Sequence, residues 1–231
     1  MNKYAVSKSL WLLKQIVKME YKIEKQARGT RIIFGEEAKE RRIVLNKLIE
    51  IAEKNGFEEI ILPTIEPSLI YTDKAGNEIL NQMYVFPDKK GRELCLRPEA
   101  TATVQIIADE FLLKERKEKR IWYFERCYRY ERPQSGRYRE FWQFGLEIIN
   151  PVNKIFPEAE LIDIATEMIN VKTQDIKMNL SAKRGLDYYT NGQGFEISCE
   201  QLGAQKQICG GGAYKQGIGF AIGFDRLMLC K

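Results

Sequence analysis

The sequence predicts an α+β domain built around an antiparallel β-sheet flanked by helices. Three observations predict it. Strand-like runs outnumber what a βαβ repeat would supply. They are joined by short polar turns, as at Pro87 to Gly91. Two long strand-like runs, 119–130 and 140–149, flank a charged, turn-rich segment from Glu131 to Arg137, which reads as a mobile loop between antiparallel strands. A chain of 231 residues, 44% of them apolar, suits one large domain with a short appendage. The boundaries fall at an N-terminal helical extension over residues 1–27 and a single domain over residues 28–231.

The elements follow in order. Residues 3–25 place Leu10, Leu13, Val17 and Tyr21 at helical spacing beside Lys14, Lys18, Lys22 and Lys25. The six lysines in residues 1–27 fit either RNA phosphate or a solvated helix face. A second helix spans 35–55 and is stopped by Asn55-Gly56. A strand runs from Phe57 to Pro63, and 84–86 with 94–96 form a hairpin. A helix from Pro98 to about Arg116, the two long strands, a helix near 157–170 and a strand near 175–181 come next. Glycine-punctuated strands and a helix after Gly223 close the chain.

Composition narrows the chemistry. No stretch reaches the roughly 20 apolar residues of a membrane span, and the lysine-broken N-terminus makes a poor signal peptide. The expectation is a cytoplasmic protein with no membrane partner. Five cysteines, odd in number and without a CxxC pair, read as small buried thiols rather than a disulfide framework or zinc site. There is no histidine, so Ser-His and Cys-His nucleophile pairs are excluded. Catalysis would rest on carboxylates, tyrosines and cationic side chains. The net charge of +5 suits a polyanionic partner such as nucleotide or RNA.

Three segments concentrate those side chains: Cys127 to Phe141, with Arg129, Glu131, Arg132, Arg137 and Arg139; Arg184-Gly185-Leu186-Asp187-Tyr188-Tyr189-Thr190; and Gly217 to Leu227, ending in Phe224-Asp225-Arg226. Within Glu140 to Glu147, strand alternation puts Phe141, Gln143, Gly145 and Glu147 on one face. The glycine at 145 is read as room for a ligand. Gly210-Gly211-Gly212 permits close approach of a ligand or tight strand packing.

In this order the segments resemble motif 2, the histidine-specific signature and motif 3 of the histidyl-tRNA synthetase family, with Pro63 matching the proline of motif 1 and Leu96 to Thr101 a substrate-contacting segment. The resemblance covers about residues 28–230 and implies the class II aminoacyl-tRNA synthetase catalytic fold. It implies histidine and ATP as substrates, with Mg²⁺, and a homodimer formed through about residues 35–65. Arg129 would hold the α-phosphate, Arg226 the γ-phosphate, and Arg184 the α-phosphate from the other side. Glu131 would face the adenine amino group and Phe141 would stack on the base. Glu99 and Gln143 would bind the substrate ammonium, with Thr101 beside them. Glu147 and Tyr189 would meet the two imidazole nitrogens, and Tyr188 would line the pocket. The carboxylates that would hold Mg²⁺ are not identified by the sequence.

Elementary chemistry fits these roles. Adenylate formation is an in-line attack by a carboxylate that is already ionised at neutral pH, so positioning and cationic stabilisation carry the step. Guanidinium groups stay charged and grip phosphate bidentately. A carboxylate and a phenol on opposite edges of a ring satisfy both nitrogens of imidazole.

The match also departs from the family pattern. Only Asn150 to Lys183 lie where the family carries an inserted domain, and the chain ends soon after Arg226, where an anticodon-binding domain would follow. Ala213 and Lys215 replace an arginine and an aspartate, and Asp225 replaces a glutamate. The expectation is therefore better support for activation than for charging, with the acceptor either the tRNA acceptor stem or another molecule. Arg132, Arg137 and Arg139 fit either tRNA contacts or ordinary loop charges. The alternative is a non-catalytic paralogue resembling the regulatory subunit of ATP phosphoribosyltransferase. Such paralogues lose the Arg-Gly-Leu-Asp segment kept here at 184–187.

Overall fold

A computed structural model describes residues 26–72, 79–110, 114, 117–152, 157–183, 189–203 and 205–231. The expected helix at 3–25 lies outside them. The first element is helix α1, Gly35–Lys54. It buries Val44, Leu45, Leu48 and Ala52 as one stripe, as helical spacing requires. Glu36 and Glu37 sit in its first turn, where negative charge suits the helix dipole. Asn55 caps it, its amide donating to the Ile51 carbonyl at 2.8 Å, and Gly56 then turns the chain with φ +77°.

The strands are β1 (Glu58–Glu59), β2 (Ile65–Pro67), β3 (Tyr84–Pro87), β4 (Glu93–Leu96), β5 (Lys119–Tyr128), β6 (Glu140–Ile149), β7 (Lys177–Lys183), β8 (Gln193–Ser198), β9 (Gln207–Tyr214) and β10 (Gly217–Gly223). The further helices are α2 (Leu69–Thr72), α3 (Thr101–Glu110), α4 (Pro157–Ile169) and α5 (Phe224–Leu227). Seven strands form one sheet in the order β1-β5-β6-β10-β9-β8-β7, and β2-β4-β3 form a smaller one. The α+β expectation holds, with one correction: β1 pairs with β5 in parallel, so the sheet is antiparallel except at that edge. The expected strand 57–63 is shorter: Glu58 and Glu59 pair in register with β5, and the last backbone bond to that strand is from the Ile60 N–H to the Trp122 carbonyl at 2.8 Å.

The two faces of the large sheet do different work. Trp122, Phe144, Leu146 and Ile148 project to one side and meet the buried stripes of α1 and α4 in the main core. Trp122 and Phe144 stack with centroids 5.5 Å apart, and Phe124 and Trp142 stack at 4.4 Å. All five cysteines are free and buried, as the sequence suggested. The opposite face packs partly on α3 through Tyr123, Val104 and Ala108 and leaves the remainder as a concave floor. Among the described residues no helix is long and apolar enough to cross a membrane.

Gly211 shows how tightly the strands close. A Cβ there would lie 2.5 Å from the Gly219 carbonyl oxygen and 2.7 Å from the Phe195 ring. Backbone on one side and a fully buried ring on the other leave no cheap relaxation. Gly211→Ala is expected to lose about 1–3 kcal/mol of stability, read as a lower urea midpoint at unchanged m-value.

Candidate active site

The floor of the concave face follows from strand register. Tyr123 lies opposite Gly145, and Glu125 opposite Gln143. On the other side of β6, Glu147 pairs with Gly219, Gly145 with Ala221, and Gln143 with Gly223. Gly212 and Gly210 continue the rows on β9. On the β10 and β9 side the residues in these rows are glycine or alanine, and Gly210, Ala221 and Gly223 among them line a cleft of about 300 Å³.

Eight of the residues singled out from the sequence line this one cleft: Arg129, Arg226, Glu131, Phe141, Glu99, Thr101, Gln143 and Tyr189. Arg184 and Tyr188 lie outside the described residues. Arg129 leaves the end of β5, its Nε donating to the Pro98 carbonyl at 2.8 Å with its guanidinium carbon 5.2 Å from the Phe141 ring centre. Arg226 reaches in from α5. Its Nε donates to the Gly136 carbonyl at 2.8 Å and its Nη1 to the Gln207 carbonyl at 3.0 Å. Burial, then the neighbouring charges of Arg129 and Arg137, pull the Arg226 guanidinium below its ordinary pKa. Two cations sharing a half-buried cleft form a site for an anion.

The acidic groups are arranged with equal economy. Glu99 is buried and its carboxylate accepts the N–H groups of Thr101 and Ala102 at 2.8 and 2.9 Å, satisfying the first turn of α3. Glu131 pairs with Arg137 of the 131–139 loop. Asp225 accepts from Arg31 at 2.6 Å, from Arg41 at 3.0 Å and from the Trp142 N–H at 2.7 Å. The Cys127 thiol donates to Gln143 Oε1 at 3.1 Å.

Glu147 is placed differently from the sequence expectation. It is fully buried beneath the cleft rather than on its wall. Its carboxyl accepts from Tyr214 at 2.8 Å, Thr101 at 3.0 Å and Tyr123 at 3.4 Å. Thr101 lines the cleft, so it connects this buried cluster to the ligand space. The room at Gly145 is also corrected: the Tyr123 ring fills the position a Cβ would take. Likewise the Glu147 carboxyl fills the Cβ position of Gly219. Tyr123 was detectable in the sequence, since pairing the two long strands sets it across from the lone glycine of β6. Tyr214 follows the triple glycine, and Tyr189 bridges to it in the sheet. The Arg31–Arg41–Asp225 cluster had no comparable signal, because its members are up to 194 positions apart.

Of the loop arginines, Arg137 is taken by Glu131. Arg139 lies 4.0 Å from the Tyr130 ring centre and donates to the Glu131 carbonyl. Arg132 is exposed. The loop is thus folded onto the cleft by its own charges.

An antiparallel sheet with a cationic, glycine-floored cleft between motif-bearing strands defines the catalytic fold of class II aminoacyl-tRNA synthetases. The family model described as histidyl-tRNA synthetase matches residues 29–180, and the chain belongs to that family. It is 34% identical to the histidine–tRNA ligase of Archaeoglobus fulgidus, with 89% of this chain and 75% of that protein covered. It is 46% identical to that of Methanocaldococcus jannaschii over 145 positions, 62% of this chain and 35% of that one. The Archaeoglobus match runs over 310 positions, of which 89% of a 231-residue chain fills only about two thirds. The relative therefore carries residues inside the matched span that have no counterpart here. Among solved structures, apo Staphylococcus aureus histidyl-tRNA synthetase superposes with TM-score 0.71 at 26% identity, over 90% of this chain and 70% of that one. A Bacillus halodurans protein described as an ATP phosphoribosyltransferase regulatory subunit/histidyl-tRNA synthetase shares the fold, with TM-score 0.73 at 17% identity over 90% and 83%.

Burial lifts the Glu147 carboxyl to about 8, against the opposing hydrogen bonds from Tyr214 and Thr101. Its folded pKa exceeds the ordinary value of 4.5, so its contribution to stability is complete below about pH 4.5 and is lost as pH rises through about 8. In urea unfolding, Glu147→Gln is expected to lose less stability than the parent chain between pH 5 and pH 8. Parallel curves for the two proteins would contradict a raised carboxyl.

Proposed function

We propose that the cleft condenses histidine with ATP to histidyl-adenylate and passes the histidyl group to an acceptor, tRNA(His) in the first instance. The observation that carries this reading is the convergence of Arg129 and Arg226 on the same floor as Glu99, Gln143 and Tyr189. The arginines take the triphosphate and the three other residues take the amino acid.

Arg129 is assigned the α-phosphate and Arg226 the γ-phosphate, with Arg184 on the α-phosphate from the far side. Phe141 stacks on adenine, and Glu131 turns from Arg137 to the adenine amino group. The substrate ammonium sits against Glu99 and Gln143, and its carboxylate faces the α-phosphorus. Tyr189 takes one imidazole nitrogen and Tyr188 lines the ring. Glu147, assigned the other nitrogen from the sequence, reaches the cleft through the Thr101 hydroxyl. Among the described residues no cluster of three or more acidic side chains is placed to hold a metal ion, so a Mg²⁺ ion would be held mostly by the phosphates of ATP. Mg²⁺ arriving with ATP would neutralise charge on the phosphates.

The relatives' name supports histidine as the amino acid, and the kept Arg184 to Asp187 segment supports catalysis over a regulatory role. The regulatory reading rests on the Bacillus halodurans likeness, which is one of fold. Histidine-dependent exchange of labelled pyrophosphate into ATP tests the proposal. Arg129→Ala is expected to lower that exchange by about 10²–10³-fold, the usual loss for one preorganised stabiliser of transition-state charge. No exchange with any of the twenty amino acids would select the regulatory alternative.

A homodimer belongs to the same proposal. Ile61, Ile65, Leu69 and Val85 expose apolar side chains on the segment after α1 and on the sheet beside it, and Ile61 is 81% exposed. Grouped apolar exposure of this kind marks an association surface. Light scattering is expected to give twice the chain mass, and Ile61→Asp to give the single-chain mass.

A further inference from the structure

The turn formed by residues 26–31 holds none of the groups assigned to substrate, yet it touches three parts of the cleft. The Thr30 hydroxyl closes the turn on the Ala27 carbonyl at 2.8 Å. Gly29 takes φ +84°, a conformation glycine adopts without steric cost. Its carbonyl accepts the Arg139 N–H at 2.8 Å. A Cβ at Gly29 would fall 2.8 Å from Arg139 Cγ and 2.9 Å from Pro133 Cγ, so the turn is seated against both arms of the 131–139 loop.

Two residues on, Arg31 reaches opposite sides of the cleft, and its Nη1 also meets the Glu37 carboxylate of α1 at 3.4 Å. Its Nη2 donates to Asp225 Oδ1 at 2.6 Å, immediately before Arg226. Its guanidinium carbon lies 4.1 Å from the centre of the Tyr138 ring, within the loop. Tyr138 and Asp225 both line the cleft. Asp225 keeps Arg41 and the Trp142 N–H as partners without Arg31, so α5 does not depend on Arg31 for its place. Arg41 is buried, whereas the Arg31 side chain is 28% exposed. What Arg31 adds is the stack on Tyr138 and a half-exposed ion pair with Glu37 of α1, and the stack is its link to the loop.

We propose that Arg31 is a positioning residue that clamps the 131–139 loop to the Asp225–Arg226 turn, setting the spacing between Glu131 and Arg226. A planar guanidinium suits this position, because one face stacks on a ring while the edge donates to a carboxylate. The consequence for ATP rests on the adenylation reading; the clamp itself does not.

Trypsin cleavage of the Arg137–Tyr138 bond in the full chain reads the clamp directly, and pyrophosphate exchange reads its consequence. Arg31→Ala is expected to speed that cleavage about tenfold, the scale set by losing a partly exposed ion pair and a cation–π contact together. The KM for ATP should rise about tenfold on the same grounds, with the KM for histidine and the melting temperature nearly unchanged. Arg31→Lys keeps the charge but loses the stack, and should fall between. Tyr138→Leu added to Arg31→Ala should change cleavage little further, since the contact is already gone. Cleavage of Arg31→Ala at the parent rate would overturn the proposal. So would an equal rise in both KM values with a lowered melting temperature, which would make Arg31 a support for the whole fold. If the parent chain shows no histidine-dependent exchange while Arg31→Ala is still cut faster, the adenylation reading falls and the clamp stands.

Discussion

The carboxyl group of Glu147 occupies the volume a side chain at position 219 would need, and the form of the cleft depends on that exchange. A buried carboxyl is costly unless it is hydrogen-bonded, and here three hydroxyls surround it. They come from β5, β9 and the first turn of α3, so satisfying one group fixes three elements relative to β6. The same substitution of space recurs at Gly145, where the Tyr123 ring fills the gap. The result is a rigid polar layer beneath a floor with few side chains of its own. Networks of this type hold one arrangement when every member is satisfied and become liabilities when one is removed.

Above that layer, the cleft unites groups from distant parts of the sequence. Arg129 stands at the end of β5, Gln143 and Phe141 on β6, Glu99 before α3, and Arg226 on α5. Further along β6 the alternate residues Phe144, Leu146 and Ile148 are committed to the core against α1 and α4. Asp225 ties this assembly together by accepting from Arg41 of α1, from Arg31 of the N-terminal turn and from the backbone of β6. Its carboxylate brings all three donors close to the start of α5.

Much of this was legible in the sequence. The stripe of α1, its stop at Asn55-Gly56, the hairpin at 84–96 and the two long strands came from local pattern and turn chemistry. The face shared by Phe141, Gln143 and Glu147 came from period-two alternation. What escaped was whatever depends on register or on contacts between remote residues. Alternation says that Glu147 shares a face with Gln143, but not that Gly219 lies beside it and draws its carboxyl downward. The glycine at 145 was read as ligand space because its partner across the sheet, Tyr123, is set by pairing rather than by neighbours in sequence. The parallel edge at β1 escaped for the same reason, since two residues carry no period. The triad at Asp225 leaves no local pattern, because Arg31, Arg41 and Asp225 belong to three elements.

The ligand-free cleft does not present bare charges. Arg226 is engaged by the carbonyls of Gly136 and Gln207, Arg137 by Glu131, and Arg129 by the carbonyl of Pro98. A guanidinium has five N–H donors, so an incoming anion shares these cations with their internal partners, and its net gain is reduced by any contact it displaces. A small ion such as free phosphate would reach only one end of this arrangement. On the proposed adenylation reading, a ligand with phosphates at one end and an amino-bearing ring at the other would engage Arg226 and Glu131 together in a single binding event. Occupancy would thereby be weighted toward molecules of the right length over the abundant short anions of the surrounding solution.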